Sequence, residues 1–209
     1  MGVRRPPLGG VLAEVILHPS PDYVSDVIRE TGDFYEAAIL DYLLRTFTRV
    51  GAIVDVGAMI GNHTVYFATY LPHSIVHAFE PLAANLTLLR TNVADLNVKV
   101  HPLALSDHDG TVRLEVPDRT NYGHAVIGSD GEVVQARPLD AFAFLDVSLI
   151  KIDVEGHEAQ VLAGAKETIA RCQPWLVVED WSGPHPPDGY RLQRSWEATH
   201  QTFLFVAER

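Results

Sequence analysis

Short apolar runs alternate with stretches of helical periodicity along most of this chain, and this alternation limits the possible folds more than any other feature. Each apolar run is short, as is typical of a strand buried on both faces of a sheet. Strand–helix–strand alternation predicts an α/β fold, a parallel sheet covered by helices on both faces. The predicted strands are 52–56, 74–79, 98–103, 149–154, 175–179, 189–196 and 202–207, the predicted helices are 21–47, 61–70, 81–94 and 157–171, and a hairpin is predicted at 111–116 and 132–136.

The composition predicts one acidic domain. The 209 residues, 47% of them hydrophobic, suffice for a single domain over 21–209, preceded by a tail over 1–20. Sixteen Lys and Arg against 27 Asp and Glu give a net charge of −11, which argues against nucleic acid and anionic membrane as partners. The single cysteine, Cys172, excludes an internal disulfide and a cysteine-rich zinc site. We therefore expect a protein of the reducing cytoplasm.

A glycine-containing turn follows the first predicted strand and leads into a helix. Residues 55–62 read Asp-Val-Gly-Ala-Met-Ile-Gly-Asn, and Gly57 and Gly61 allow a sharp turn and a close approach of the backbone to a ligand. The dinucleotide fingerprint requires glycine where Met59 and Asn62 stand, so the turn disfavours NAD and FAD and favours a nucleoside without pyrophosphate. The same turn is also compatible with a strand-to-helix connection that binds nothing.

Acidic residues end the first two predicted strands. Asp55 ends the first strand, where it can meet a cationic amino-acid group or a water molecule bound to that group. Glu80 ends the next strand, roughly 20 residues beyond the glycine turn, where a carboxylate can accept both hydrogen bonds of a ribose diol. An alternative function for Glu80 is a favourable charge at the start of the next helix, because Pro81 follows it.

The predicted strand at 149–154 ends in two carboxylates, a glycine and a histidine. Glu155 suits the amino-terminal end of the next helix, whereas Asp153, which we predict to lie within the strand, is not explained by capping. His157 begins a segment that is similar to a zinc-protease helix, but Val161 stands at the position of the second histidine, so that interpretation fails.

The order of these motifs resembles the FkbM family of S-adenosylmethionine-dependent methyltransferases over residues 33–180. The resemblance implies an α/β, Rossmann-like class I methyltransferase fold, a seven-stranded, mostly parallel sheet whose last strand is antiparallel. The most specific motif is IKIDVEGHE followed by VLAGA. The segments that carry the resemblance are DVGAMIG from residue 55, HAFEP from 77, LALSD from 103, LIKIDVEGHEAQVLAGA from 149 and PWLVVED from 174.

The resemblance also implies roles for individual residues around S-adenosylmethionine. Three residues of the turn would lie under the methionine and ribose parts, Glu80 would bind the ribose, and Asp153 would lie beside the sulfonium and the incoming substrate. Asp55 and Asn62 join this set as part of the same strand end and turn. The remaining implied residues are Gly57, Ala58 and Gly61 in the turn, and Ser106 and Asp107 flanking the adenine.

Two chemical routes fit the candidate residues. In the first route His157 or His124 is a general base and Asp153 orients the acceptor, because the histidine pKa lies near neutrality. In the second route Asp153, Glu179 and Asp180 hold Mg²⁺ or another divalent cation that lowers the pKa of the acceptor. The metal-free route is favoured, since carboxylates that end adjacent strands are not specific to metal sites.

The predicted function is methyl transfer to a hydroxyl group of a small molecule, such as a sugar or a natural product, in natural product biosynthesis. The alternatives are an N-methyltransferase that acts on an amine or amide and a nucleoside-binding module without catalysis. The loop at 121–124 is a candidate wall of the acceptor pocket. Lys151 is predicted to extend its charge to solvent from the strand. The oligomeric state stays open.

Overall fold

The computed structural model describes residues 14–118, 121–196 and 201–208, which form two sheets and six α-helices. The helices are α1 (Tyr23–Thr31), α2 (Ala37–Thr46), α3 (Asn62–Tyr70), α4 (Ala83–Asn92), α5 (Glu158–Ala163) and α6 (Lys166–Cys172). The strands are β1 (Ala52–Val56), β2 (Val76–Phe79), β3 (Val98–His101), β4 (Ala104–Leu105), β5 (Gly110–Glu115), β6 (Val126–Gly128), β7 (Glu132–Arg137), β8 (Val147–Ile152), β9 (Trp175–Glu179), β10 (Tyr190–Ser195) and β11 (Thr202–Ala207).

The larger sheet has seven strands in the order β10-β11-β9-β8-β1-β2-β3. The strands β9, β8, β1, β2 and β3 run parallel, and β11 lies antiparallel between β9 and β10. The predicted seven-stranded, mostly parallel sheet with an antiparallel last strand is therefore confirmed. Strand order reverses between β1 and β8, and the carboxyl ends of the strands at such a reversal are where open α/β sheets bind ligands.

Helices cover both faces of this sheet, so its central strands are buried on both sides. Every residue of β1 and β8 is buried, as their largely apolar sequences predict, and this includes the polar residues Asp55, Ser148 and Lys151. One face packs against α2, α3 and α4, and the other against α5 and α6. None of the helices in the described ranges combines the length and the apolarity that crossing a membrane requires.

The helix predicted over 21–47 is in fact two helices. The first, α1, ends at Gly32, which is left-handed with φ +66° and donates its N–H to the carbonyl of Ile28. The second, α2, begins after Glu36, which is also left-handed. The prediction was wrong because apolar residues continue on both sides of the turn, so periodicity alone does not show the break.

The helix predicted over 157–171 is also divided, into α5 and α6. A Cβ atom at Gly164 would lie 1.9 Å from the carbonyl oxygen of Ser106, so another segment of the chain passes too close for a side chain at this point. The carboxylate of Asp140 then accepts two backbone N–H groups from the first turn of α6. Contacts between distant segments therefore set this break.

The smaller sheet forms beside the carboxyl ends of the main sheet, in the order β4-β7-β5-β6. Its β5 and β7 pair antiparallel, which confirms the predicted hairpin. The connection between them, predicted as a polar loop, also contains β6, which pairs with β5. This sheet places residues 121–125 against one side of the main sheet's crevice.

Residues 14–20, predicted as part of the tail, lie against the domain. Val15 is fully buried in the core. Ile16 exchanges two backbone hydrogen bonds with the side chain of Asn92 at the end of α4. The ring of His18 stacks on Tyr122 at 4.5 Å between centroids. Residues 1–13 of the predicted tail lie outside the described residues.

Candidate functional site

A cavity of about 400 Å³ lies at the carboxyl ends of β1, β2 and β8, at the reversal of strand order. Its floor is the turn after β1, one side is the segment after β8, and the other is the loop at 121–125. Of the predicted site residues, the cavity is lined by Gly57, Ala58, Asn62, Glu80, His124, Asp153, His157 and Glu179, whereas Asp55, Gly61, Ser106, Asp107 and Asp180 do not line it.

The glycine turn is required first by the fold. Gly57 has φ +75°, and a Cβ atom there would lie 1.8 Å from the carbonyl oxygen of Asp153. Gly61 is the N-cap of α3 and has φ +93°, a conformation that favours glycine, and a Cβ atom there would lie 2.8 Å from Leu89 Cδ1, at the end of that side chain. Both glycines therefore permit close packing within the protein, and it is this packing that presents the turn's backbone to the cavity.

Glu80 is buried and joins the turn after β1 to the start of α4. Its carboxylate accepts hydrogen bonds from the backbone N–H groups of Met59 and Leu82, both at 2.8 Å, and from the Asn85 amide at 3.4 Å. Burial raises the pKa of Glu80 to about 7, although these hydrogen bonds oppose the shift. The capping interpretation is therefore correct in part, because Leu82 is the N-cap residue of α4.

Lys151 is buried beneath the cavity, between two carboxylates. The strand β8 ends at Ile152, so Asp153 is the first residue after the strand and not a strand residue as predicted. The Lys151 ammonium lies 3.1 Å from Asp153 Oδ2 and 3.7 Å from Asp55 Oδ1. The prediction that Lys151 extends to solvent was wrong, because its cross-strand neighbour Asp55 and the following turn enclose its charge.

The charges around Lys151 determine its protonation. Burial alone would lower the pKa of Lys151, but the carboxylates of Asp153 and Asp55 outweigh burial and hold that pKa above its usual value. Asp55 is fully buried and also accepts the hydroxyl hydrogen bond of Thr64. Asp55 therefore lies below the cavity floor, where it acts on the site through Lys151.

Ser106 and Asp107 follow β4, outside the cavity lining. The Ser106 hydroxyl lies 3.0 Å from His157 Nε2, and the Asp107 carboxylate faces His108 on the surface. His157 itself lines the cavity, and burial lowers its pKa. The contact with Ser106 places the His157 ring at the cavity wall.

His124 faces Glu155 across the cavity rim. The distance from His124 Nδ1 to Glu155 Oε2 is 3.5 Å, and both residues line the cavity. Burial and the neighbouring Asp153 carboxylate raise the pKa of Glu155 to about 6, although His124 opposes the shift. Glu155 has φ +53°, a strained conformation for a residue with a side chain.

The carboxylates proposed as metal ligands do not converge. Asp153 faces Lys151, Glu179 accepts the indole N–H of Trp181, and Asp180 accepts hydrogen bonds from Ser182. Within the described ranges, no group of three or more His, Cys, Asp or Glu side chains is placed to hold a metal ion. Burial and the Asp153 carboxylate raise the pKa of Glu179 to about 9.

Sequence reasoning missed two tyrosines in the cavity wall, Tyr23 and Tyr35. Asn62 accepts the backbone N–H of Tyr35 at 3.0 Å and donates to its carbonyl at 3.1 Å. The segment between α1 and α2 is thereby fixed against the start of α3. The sequence predicted one continuous helix over this region. Locating these residues in the cavity wall would have required recognising the turn between α1 and α2.

Comparison with known proteins identifies the family and agrees with the fold. A family model described as "Methyltransferase FkbM domain" matches residues 55–207. The hexuronic acid methyltransferase AglP of Haloferax volcanii is 27% identical over 164 residues, covering 75% of this chain and 67% of that protein. Methyltransferase sdnD of Sordaria araneosa is 30% identical over 183 residues, covering 68% of this chain and 69% of that protein.

Solved structures share the fold at lower sequence identity. The crystal structure of methyltransferase FkbM from Methylobacillus flagellatus has a TM-score of 0.52 at 20% identity, covering 91% of this chain. This chain spans 56% of that protein. The putative methyltransferase yhhF from Escherichia coli has a TM-score of 0.57 at 14% identity, covering 97% of each chain.

The order of the strands and the antiparallel last strand define a Rossmann-like fold of the class I methyltransferase type. Within that class, this chain belongs to the FkbM methyltransferase family, because the family model matches most of it.

Proposed function

We propose that this protein transfers a methyl group from S-adenosylmethionine to a hydroxyl group of a small molecule, such as a sugar or a natural product. The observation that supports this most strongly is the cavity at the reversal of strand order, which Glu80 and Asp153 enter from different strand ends. Met59 and Asn62 line the cavity where a pyrophosphate site would need glycine, so the turn suits a nucleoside without phosphate.

The cavity lining fits the parts of such a nucleoside. The Glu80 carboxylate lines the cavity and accepts three hydrogen bonds, so of its about four acceptor sites one remains, on Oε2, for a ribose hydroxyl. The side-chain oxygen of Asn121 is buried without a hydrogen-bond partner in the described part of the chain, and Asn121 lines the cavity. An unsatisfied buried acceptor suits an amino group such as that of adenine.

Asp153 places a carboxylate in the cavity wall, beside the buried Lys151 ammonium. When bound, S-adenosylmethionine supplies an electrophilic methyl group on a positively charged sulfur. Asp153 would lie beside that charge. Its carboxylate can also accept a hydrogen bond from the group that receives the methyl. Holding the acceptor in line with the methyl group provides much of the rate enhancement for this type of reaction.

His124 is our preferred general base, and His157 is the other candidate. His124 is half exposed at the rim and faces Glu155 at 3.5 Å, so a carboxylate can orient its ring and stabilise the protonated form. His157 already lies within hydrogen-bond distance of Ser106, and burial disfavours its protonation. Proton transfer from the acceptor hydroxyl to His124 leaves the oxygen free to attack the methyl group.

The acceptor end of the cavity favours small molecules without negative charge. Of the described residues that line the cavity, Lys151 is the only Lys or Arg, and two carboxylates surround its charge. The carboxyl groups of Glu155 and Glu179 can bind hydroxyl groups, and they would equally bind an amine. N-methylation is therefore the second candidate, and nucleic acid is not a proposed substrate.

Binding and turnover test this proposal in sequence. Calorimetry should first show binding of S-adenosylhomocysteine, and transfer of labelled methyl groups should then be screened over hydroxyl and amine acceptors. His124→Ala should lower turnover of a hydroxyl acceptor by about 100-fold or more, as loss of a general base does. His73→Ala, which lies away from the cavity, is the matched control. Turnover only of amines, with His124→Ala silent, would replace O-methylation by N-methylation.

A further inference from the structure

The Lys151 ammonium makes three contacts that the proposed chemistry leaves unexplained. It donates to the carbonyl of Gly57 at 3.2 Å and to Asp153 Oδ2 at 3.1 Å, and Asp55 Oδ1 lies 3.7 Å away. These contacts join the turn after β1 to the first residue after β8, across the reversal of strand order. The Lys151 side chain is 5% exposed, so solvent does not compete for its three donors.

We propose that Lys151 is a positioning residue that holds the Asp153 carboxylate toward the sulfur position of the cofactor. This inference rests on the proposed function. Asp153 Oδ2 is held by the ammonium, while Oδ1 makes no hydrogen bond within the described ranges and the side chain is 25% exposed to the cavity. The oxygen that remains available is therefore the one that can meet a ligand.

The charge balance of this cluster matches a cationic ligand. The formal charges of one Lys and two Asp side chains sum to −1. Asp55 is sealed from solvent, so the excess charge is accessible only through Asp153. A buried ion pair is by itself weak evidence for stability, since apolar residues of similar size often serve as well. A role in orienting Asp153 explains why an ammonium occupies this position.

The test compares two ligands that differ in charge at the relevant position. S-adenosylhomocysteine is neutral at sulfur, whereas sinefungin carries an amine-bearing carbon in its place. The ratio of their affinities, measured by calorimetry, reports the negative charge that faces that position. Asp153→Asn defines the ratio when this charge is absent.

The informative variant is Lys151→Met combined with Asp55→Asn. It removes one positive and one negative charge, so the net charge of the cluster stays at −1 and only the hold on Asp153 is lost. We expect the melting temperature to recover from that of Lys151→Met alone and the preference for sinefungin to fall about fivefold or more. If Lys151 had only a structural role, the double variant would recover both the melting temperature and the preference for sinefungin. An unchanged or increased preference for sinefungin would therefore overturn the proposal.

A second variant covers the case in which the double variant does not fold. Asp55→Asn keeps the Thr64 contact and Lys151 but reduces the net charge of the cluster to zero, so the preference for sinefungin should also fall. An unchanged preference in this variant contradicts the charge balance on which the inference depends. Failure of the wild-type protein to bind either ligand would instead refute the proposed function, and this inference with it.

Discussion

Glu80 supports the fold with the same side chain that we propose as a ligand of the ribose. Two backbone N–H groups and an amide converge on its carboxylate, which ties the turn after β1 to the start of α4. A carboxylate this deeply buried is expensive to ionise, and burial raises its pKa to about 7. A ligand hydroxyl group would add a hydrogen bond to the ionised form and so favour it.

The first prediction concerns the ionisation of Glu80. Because ribose hydroxyls bind the ionised carboxylate better, the affinity for S-adenosylhomocysteine should rise between about pH 6 and pH 8, as Glu80 loses its proton. Glu80→Gln should flatten this dependence and weaken binding by about tenfold, the loss expected for hydrogen bonds to a charged acceptor. Calorimetry at several pH values measures both effects. Equal pH dependence in the two proteins would refute this role for Glu80.

At the scale of elements, close contact between two loops shapes the cavity floor. The turn after β1 and the segment after β8 follow adjacent parallel strands, and they approach so closely that Gly57 has no space for a Cβ atom. Gly156, in the second loop, also has positive φ but has nothing within 4 Å of a Cβ position. A side chain at Gly156 would meet backbone strain alone, whereas a side chain at Gly57 would meet both backbone strain and steric crowding.

The second prediction uses this matched pair. Gly57→Ala should lower the free energy of unfolding by about 2–4 kcal/mol, because it adds a clash with the carbonyl of Asp153 to the strain of positive φ. Gly156→Ala should cost about 1–2 kcal/mol, from strain alone. Denaturant titration of both variants gives the comparison. Equal losses would mean that the two loops are not in the close contact described here.

At the scale of the whole molecule, a buried histidine pair links stability to pH. His77 on β2 and His101 on β3 lie with ring nitrogens 3.0 Å apart, enclosed by Phe79, Phe142 and Phe144. Burial lowers the pKa of each histidine from 6.5 to about 4. The folded protein therefore keeps both rings neutral at a pH where the unfolded chain protonates them.

The third prediction follows from the sign of these shifts. Since the unfolded chain binds more protons between pH 6.5 and about pH 4, the contribution of the pair to stability is present above pH 6.5 and is lost as the pH falls through this range. Melting temperature should decline over the same range in the wild-type protein. The double variant His77→Gln and His101→Gln should decline less steeply. An equal fall of melting temperature with pH in the two proteins would contradict the interpretation that the pair is buried and neutral.

Much of the architecture could be predicted because it depends on local pattern. The largely apolar runs at β1, β8 and β9 reflect burial on both faces, and the polar residues that end them mark the ligand edge of a parallel sheet. Glu80 and Asp153 were located in this way, and both line the cavity. The breaks at Gly32 and Gly164 were missed, because the periodicity of apolar residues is similar on both sides of each break.

The amino-acid sequence by itself determined the α/β class, the parallel sheet and the strand ends that line the cavity, because these follow from periodicity and from the chemistry of side chains at fixed positions. The seven-stranded sheet with its antiparallel last strand was implied by the family resemblance. Only the tertiary structure decided which charged side chains lie next to one another and which of them face the cavity. Asp55 lies under the floor, Lys151 is buried between two carboxylates, and Asp180 points away from the cavity. Such electrostatic partners are set by distances between separate strands and loops, which spacing along the chain does not encode.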